Sequence, residues 1–302
     1  MTAAMAVNKN TEDVQELRFV AIFFFLFAYL FGFLENISII TSVFRESHLH
    51  SPMYFFLKNL SFLDMCYISV TIPKALFTSL TGSGLISYLE CVAQLYVFIT
   101  LASTECFLLM AMAYDRCLAI LKPLLYRTNV NDRLSSELVA MAWVSRPSTL
   151  TSTPSTPSPC PSADPTSWNT SVTSPIIRLT CTDYCLNEEV GFAVSRCIIM
   201  SAFALTVLSY VGITSAIMQI PTGEGWWKAF STCSSHLTTV ILFYRTGSFM
   251  YLRPASQYSP TQGCLASIFY SILTPTLNPA IYCLRNKDMK FALQKLYCPP
   301  QH

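Results

Sequence analysis

The chain lacks the motifs by which most enzymes and metal proteins are read. It contains no H-E-x-x-H, no G-x-S-x-G and no phosphate-binding glycine loop, so no nucleophile–base pair or nucleotide cradle points to catalysis. Twelve cysteines are present but none falls in a C-x-x-C pair, which argues against a zinc or iron–sulfur site and reads most of them as small buried hydrophobes. Charge is scarce: 12% of the 302 residues are Asp, Glu, Lys or Arg, and the formal net charge of +2 implies no nucleic-acid partner. The first 16 residues are polar, with no short apolar core and small-residue cleavage site, so no cleavable signal peptide is expected and the first apolar span acts as the signal. No internal repeat is visible, which disfavours a transporter built from paired halves.

What the chain does contain is apolar length. Hydrophobic residues make up 52% of it, and the mean hydropathy of +0.44 is too high for a soluble domain of this size. A bilayer-spanning helix needs about 20 mostly apolar residues. Six segments qualify: 19–44, 53–80, 88–121, 190–219, 229–252 and 262–284. Between the third and fourth lies a gap, 122–189, in which only Leu138–Val144 is apolar, about a third of a span. Seven prolines follow between 147 and 175, each removing an amide donor and disfavouring a continuous helix. Carbonyls freed in lipid find no water, so 146–175 is not expected to cross as a helix.

Basic residues mark one side. Arg45 and Lys58 flank the first hairpin, Lys122, Arg127 and Arg133 follow the third span, Lys228 precedes the next-to-last, and Arg285, Lys287, Lys290 and Lys295 follow the last. These lie on a common cytoplasmic side only if a crossing occurs between 134 and 189. The tail 286–296 gathers Met289, Leu293 and Leu296 on one face, which reads as an amphipathic helix at the interface, with a frayed polar tail as the alternative.

Four stretches carry a family resemblance. They are Pro52-Met53-Tyr54-Phe55-Phe56-Leu57 with Leu60-Ser61-Phe62-Leu63-Asp64; Met112-Ala113-Tyr114-Asp115-Arg116; Lys228-Ala229-Phe230-Ser231-Thr232-Cys233-Ser234-Ser235-His236-Leu237; and Pro275-Thr276-Leu277-Asn278-Pro279-Ala280-Ile281-Tyr282 with Leu284-Arg285-Asn286. In this order they resemble the olfactory receptors among rhodopsin-like G-protein-coupled receptors, over roughly 19–145 and 176–296. The resemblance implies an all-α seven-transmembrane bundle with its fourth helix disrupted. It divides the chain into an extracellular N-terminus (1–18), a receptor domain (19–285, defective at 146–175) and a cytoplasmic amphipathic helix and tail (286–302). It implies a multi-pass plasma-membrane receptor, embedded in the lipid bilayer, that binds small volatile odorants and activates a heterotrimeric G protein of the stimulatory olfactory type. The alternative reading is a non-functional, pseudogene-like membrane product retained in the endoplasmic reticulum.

Site residues follow from the same resemblance. Asp115 and Arg116 take the coupling position at the cytoplasmic end of span three, with Cys117 where the family has Tyr. Asn278, Pro279 and Tyr282 take the switch position in the last span, where Pro279 lacks a helix donor and kinks the chain; a static kink is the bland alternative. Phe98, Ile99, Ala102 and Ser103 on span three, Phe192, Ser195 and Ile199 on span five, and Tyr244 and Ser248 on span six are expected to line the odorant pocket, ordinary helix packing being the alternative for each. Asp64 and Glu105 are acids deep in apolar spans, where ionisable groups usually face the bundle interior. With Asn36 and Asn278 they make an oxygen set for Na⁺, the one candidate cofactor; two protonated, hydrogen-bonded acids are the alternative. A disulfide from Cys91 to Cys181 is implied, with Cys185 and Cys160 as other candidate partners in an oxidising lumen. Three further residues depart from the family: Glu35 and Arg245 stand where Gly is usual, and Ala202 where Pro is common.

The disrupted segment has a specific origin. The family's second outer loop commonly reads like L-P-F-C-G-P-N-E-L-E-H-F-C-D-I-P. A suitable coding of that loop, translated one base late, gives C-P-S-A-D-P-T-S-W-N-T-S-V-T-S-P, which is residues 160–175. The family register returns from Ile176. The sequon Asn169-Thr170-Ser171 is a by-product of the shift, and Asn10-Thr11-Glu12 is not a sequon. Replacing 146–175 with an in-register segment is expected to raise surface staining several-fold, whereas Glu35→Gly or Arg245→Gly alone changes it little. Single intramembrane charges are unfavourable by ~3 kcal/mol on insertion scales, while loss of a span of about 20 residues alters the parity of crossings. Glycosylation reporters after Val190 and after Leu284 check this; normal seven-span topology in the unrepaired chain contradicts it.

Overall fold

The computed structural model describes residues 2–81, 88–121, 132–144, 185–219, 223–251 and 272–298. Every regular element among them is helical: α1 (Thr2–Arg45), a 3₁₀ turn (Ser47–Leu49), α2 (Pro52–Thr81), α3 (Tyr88–Leu121), α4 (Asp132–Val144), α5 (Cys185–Ile217), α6 (Glu224–Tyr251), α7 (Thr274–Arg285) and α8 (Lys287–Tyr297). Four stretches, Arg18–Arg45, Pro52–Thr81, Tyr96–Leu121 and Ile199–Ile217, are long and apolar enough to cross a bilayer. A helix is the form such segments take because lipid offers no partner to an unpaired amide or carbonyl. Side-chain hydroxyls are satisfied in the same way, by bonding back one turn: Thr71 donates to the Tyr67 carbonyl at 2.8 Å, Thr100 to Tyr96 at 2.8 Å and Thr206 to Ala202 at 2.8 Å.

The bundle is centred on α3, which packs against α2, α4, α5 and α6, while α1 packs on α2, α7 and α8. Its core gathers Leu63, Leu108, Leu109 and Cys106, none of which is exposed at all. The outside is apolar as well. Phe23, Phe27, Phe31 and Leu34 of α1 are exposed, and the Phe27 and Phe31 rings stack at 5.5 Å. A water-facing surface would not carry this stripe; a lipid-facing one does. α1 and α7 approach closely at Gly32, where a Cβ would stand 2.7 Å from the Thr276 methyl, so no larger residue fits. At one end of the bundle the Arg18 guanidinium donates to the Ser79 and Leu80 carbonyls in the last turn of α2, which have no partner within their own helix.

The helices reach further than the apolar runs. α6 begins at Glu224 rather than 229, α5 begins at Cys185 rather than 190, and α1 extends back to Thr2 through the polar residues 2–17. α4 is 13 residues rather than the apolar seven. Its first turns look like loop because they are polar, but Ser136 and Glu137 are exposed while Val139 and Ala142 are buried against α2 and α3. At 1.5 Å per residue α4 covers about 20 Å of a ~30 Å hydrocarbon layer. Its far end is held by Thr104, which donates to the Ala142 carbonyl at 3.2 Å, and by Trp143 against Phe62 at 5.9 Å. The expected break at 146–175 and the start of the last span at 262–271 lie outside the described residues.

The amphipathic tail is a helix, as the spacing of its apolar residues predicts. Met289 and Ala292 are buried, and Leu293 packs on the same core. Asn286 is its N-cap, accepting from the amides of Asp288 at 3.0 Å and Met289 at 3.2 Å, while its Nδ2 donates to the Tyr54 hydroxyl at 3.1 Å. Lys295 pairs with Glu46 at 2.8 Å, and the Tyr297 and Ser38 hydroxyls pair. The Lys295 hydrogen bond and charge, helped by nearby His48, hold the Glu46 carboxyl below its usual range. This contact is therefore present above the ordinary carboxylate pKa and is lost only as pH falls through the depressed value. Asn286→Ala is expected to destabilise the chain by about 1 kcal/mol, the usual loss for an N-cap. Thermal unfolding of the purified protein reads it; an unchanged midpoint contradicts the capping role.

Candidate functional site

Two polar clusters lie inside the apolar bundle. The deeper one joins α1, α2, α3 and α7. Asp64, Glu105, Asn36 and Asn278 are each at most 2% exposed. α2 and α3 bring the two acids inward because the apolar residues around them, Leu63 and Leu108 among others, face the same core. The Asn278 amide donates to both Asp64 carboxylate oxygens, at 3.1 and 3.3 Å. The Asn36 amide donates to the Gly32 carbonyl at 2.8 Å and to the Pro275 carbonyl at 3.3 Å. Three buried oxygens in this cluster, Asn36 Oδ1, Glu105 Oε1 and Asn278 Oδ1, have no hydrogen-bond partner. Asp64, Glu105 and Asn278 are thus brought together, while Asn36 reaches α7 one turn earlier, at the Pro275 carbonyl. Among the described residues no group of three or more His, Cys, Asp and Glu gathers, so the donor set is one of hard oxygens only.

The second cluster lies toward the other end of α3, around Arg116. The guanidinium bears electrostatically on Tyr210 of α5, Cys233 and His236 of α6, and Tyr282 of α7. The Tyr210 hydroxyl meets His236 Nδ1 at 2.7 Å and the Cys233 carbonyl at 3.2 Å, and the two rings stack at 5.8 Å. Asp115 is buried and faces another wall, a small cleft with Phe56 of α2 and Leu134, Ser135 and Leu138 of α4. Arg116 and Tyr282 therefore share one environment, with Asn278 and Pro279 one turn from Tyr282 on the same helix. Tyr210 and His236 were missed as partners. His236 sits in one of the recognised motifs, and its position i+3 from Cys233 already puts both on one face.

The expected odorant lining is brought together in part. Phe98, Ala102 and Tyr244 belong to one core cluster, and Ser103 and Ile199 are half-buried. Phe98 meets Tyr67 of α2 edge-on, with ring centroids 5.6 Å apart. Tyr244 meets Phe203 of α5 at 4.8 Å and Cys106 Sγ of α3 at 3.2 Å. Phe203 and Cys106 were not anticipated, although Cys106 lies i+4 from Ala102 on the same face. The side chains of Ile99, Phe192, Ser195, Ser248 and Cys91, and all of Cys181, lie outside the described residues. Arg245 is exposed on the outside of α6, so it does not enter the interior. Glu35 is half-buried, and one of its oxygens is buried without a partner; nothing in the structure explains its presence.

Comparison with known proteins gives a consistent match. The olfactory receptor family model matches residues 25–299. The chain is similar to human (Homo sapiens) olfactory receptor 6B3, 41% identical with 93% of this chain and 86% of the relative covered. It is similar to human olfactory receptor 2G3 at 43%, covering 94% and 93%, and to mouse (Mus musculus) olfactory receptor 6B9 at 44%, covering 90% and 86%. Tyr210→Phe keeps the ring and removes the hydroxyl shared by His236 and the Cys233 carbonyl. It is expected to destabilise the protein by about 1 kcal/mol, the net worth of one such bond. Thermal unfolding checks this; a midpoint unchanged or raised contradicts the contact.

Proposed function

The chain belongs to the olfactory receptor family, and from that premise we propose how its two buried clusters divide the work of detection and coupling. It is an odorant receptor, a multi-pass plasma-membrane protein that couples to a heterotrimeric G protein and not an enzyme. In our reading the Arg116 end, with α8, faces the cytoplasm, and residues 1–18 lie outside. Odorants bind between α3, α5 and α6 on the outer side, against Ala102, Ser103, Ile199 and Tyr244, with Phe98, Ile99, Phe192, Ser195 and Ser248 completing the wall. An apolar lining with a hydroxyl or two suits small volatiles held by dispersion and one hydrogen bond. A lid tied by Cys91–Cys181 closes the outer side.

The observation that carries the coupling assignment is the convergence of Arg116, Tyr210, His236 and Tyr282 from four helices at one end of the bundle. A cation placed among polar groups of three other helices can re-pair when a partner arrives. We assign the partner to the stimulatory olfactory class, and the surrounding medium to the lipid bilayer. If so, Arg116→Ala abolishes odorant-evoked cAMP while surface level is unchanged; an unaltered response in cells stained equally for wild type and variant sinks the assignment.

The Asp64 cluster fits Na⁺. Two carboxylates need countercharge in the core, and three oxygens of the cluster, Glu105 Oε1 among them, lack donors. A bound cation would supply that charge, with Asp64, Glu105, Asn36 and Asn278 as its holders. NaCl is therefore expected to raise the unfolding midpoint of the purified receptor relative to choline chloride at equal ionic strength, and Glu105→Gln to remove the difference. Equal midpoints in the two salts would leave the acids as a protonated, hydrogen-bonded pair.

A further inference from the structure

α6 opens on an aromatic cluster that no function so far uses. Trp226 stacks on Phe230, with centroids 5.1 Å apart and planes 4° apart, and Trp227 stands edge-on to both, at 5.1 and 6.2 Å. The three rings differ in exposure. Trp226 is half-buried and packs with Ile213 and Ile217 of α5 and Cys117 and Ile120 of α3. Trp227 is 65% exposed and Phe230 is 46% exposed. They continue, at spacings of three, seven and four residues, into Leu237 and Ile241, which are exposed on the same helix. Leu205, Leu208 and Val211 of α5 are exposed in the same manner.

We propose that Trp227 and Phe230 are a membrane-interface anchor, seated in the carbonyl and headgroup region of the inner leaflet at the start of α6. The occupant follows from continuity: the stripe above them, Leu237 and Ile241, is the lipid-facing side of the helix, and an indole at its end has an apolar body and one N–H donor. That combination suits the boundary between hydrocarbon and water. A protein partner approaching Arg116 meets the inward side of the bundle, where Tyr210 and His236 lie. Lys228 follows directly in sequence, a residue type that favours the anionic inner surface. The anchor fixes the depth of α6, while Trp226 ties the same turn to α5 and α3.

The test uses the full chain in lipid nanodiscs, with phosphatidylcholine brominated either near the carbonyls or near the chain ends. Subtracting the Trp227→Phe emission from the parent emission isolates Trp227, and Trp227→Tyr gives a second subtraction that does not depend on the first variant folding. The isolated signal is expected to be quenched roughly twofold more by the shallow bromines than by the deep ones, as an interfacial indole requires, and to be insensitive to aqueous iodide. Trp226, isolated in the same way, is expected to respond weakly to both lipids. Quenching of the Trp227 signal by iodide without any effect of brominated lipid overturns the anchor. So does shielding from iodide that appears only when a purified heterotrimeric G protein is added, which would assign the surface to that partner.

Discussion

A single amide in α7, Asn278, holds the interior of this bundle together. Its Nδ2 reaches both oxygens of Asp64, so α2 and α7 meet through one donor group with Glu105 of α3 buried beside them. An isolated carboxylate in an apolar core is strongly unfavourable, and the lipid outside offers no relief. The acids are therefore tolerable only while α2, α3 and α7 keep this arrangement. Asn36 extends the tie to α1 through the Pro275 carbonyl, one turn before Asn278, and Gly32 lets the two backbones come close enough for it. The hydrophobic contacts of the core are numerous but interchangeable; this polar set specifies which faces meet.

Much of that was readable beforehand because an acid inside an apolar span is informative by itself. Asp64 and Glu105 stand out against their neighbours, and Asn278 precedes a proline in a recognised motif. Periodicity likewise gave α8, whose Met289 and Leu293 face the core as their spacing requires. The contacts that escaped are those made by residues with an ordinary alternative. A cysteine or phenylalanine in a helix, such as Cys106 or Phe203, reads as packing, and only the packed bundle shows that both touch Tyr244. Capping is similar: Arg18 sits at the edge of a span, where a basic residue is unremarkable, yet it serves the last carbonyls of α2.

The fourth helix shows where sequence and structure bear on different parts of one question. Polar residues from Asp132 hid the start of α4, which is longer than its apolar run. Its contacts with Thr104 and Phe62 secure it against α2 and α3 up to Trp143. Residues 160–175 begin well beyond that point and lie outside the described residues. The Arg116 cluster and the Asp64 cluster are both built without it, since their members come from α1, α2, α3, α5, α6 and α7.

The central claim, that the Asp64–Asn278 contact specifies the packing of α2 on α7, is tested most directly by a reciprocal exchange. Asp64→Asn and Asn278→Asp are made singly and together, and the unfolding midpoint of each purified receptor is measured. Each single variant leaves two like groups facing each other and is expected to be destabilised. The double variant restores a donor opposite a carboxylate and is expected to recover stability, with a coupling energy of about 1 kcal/mol or more, as for residues in one buried network. Additive losses in the double variant would contradict the account.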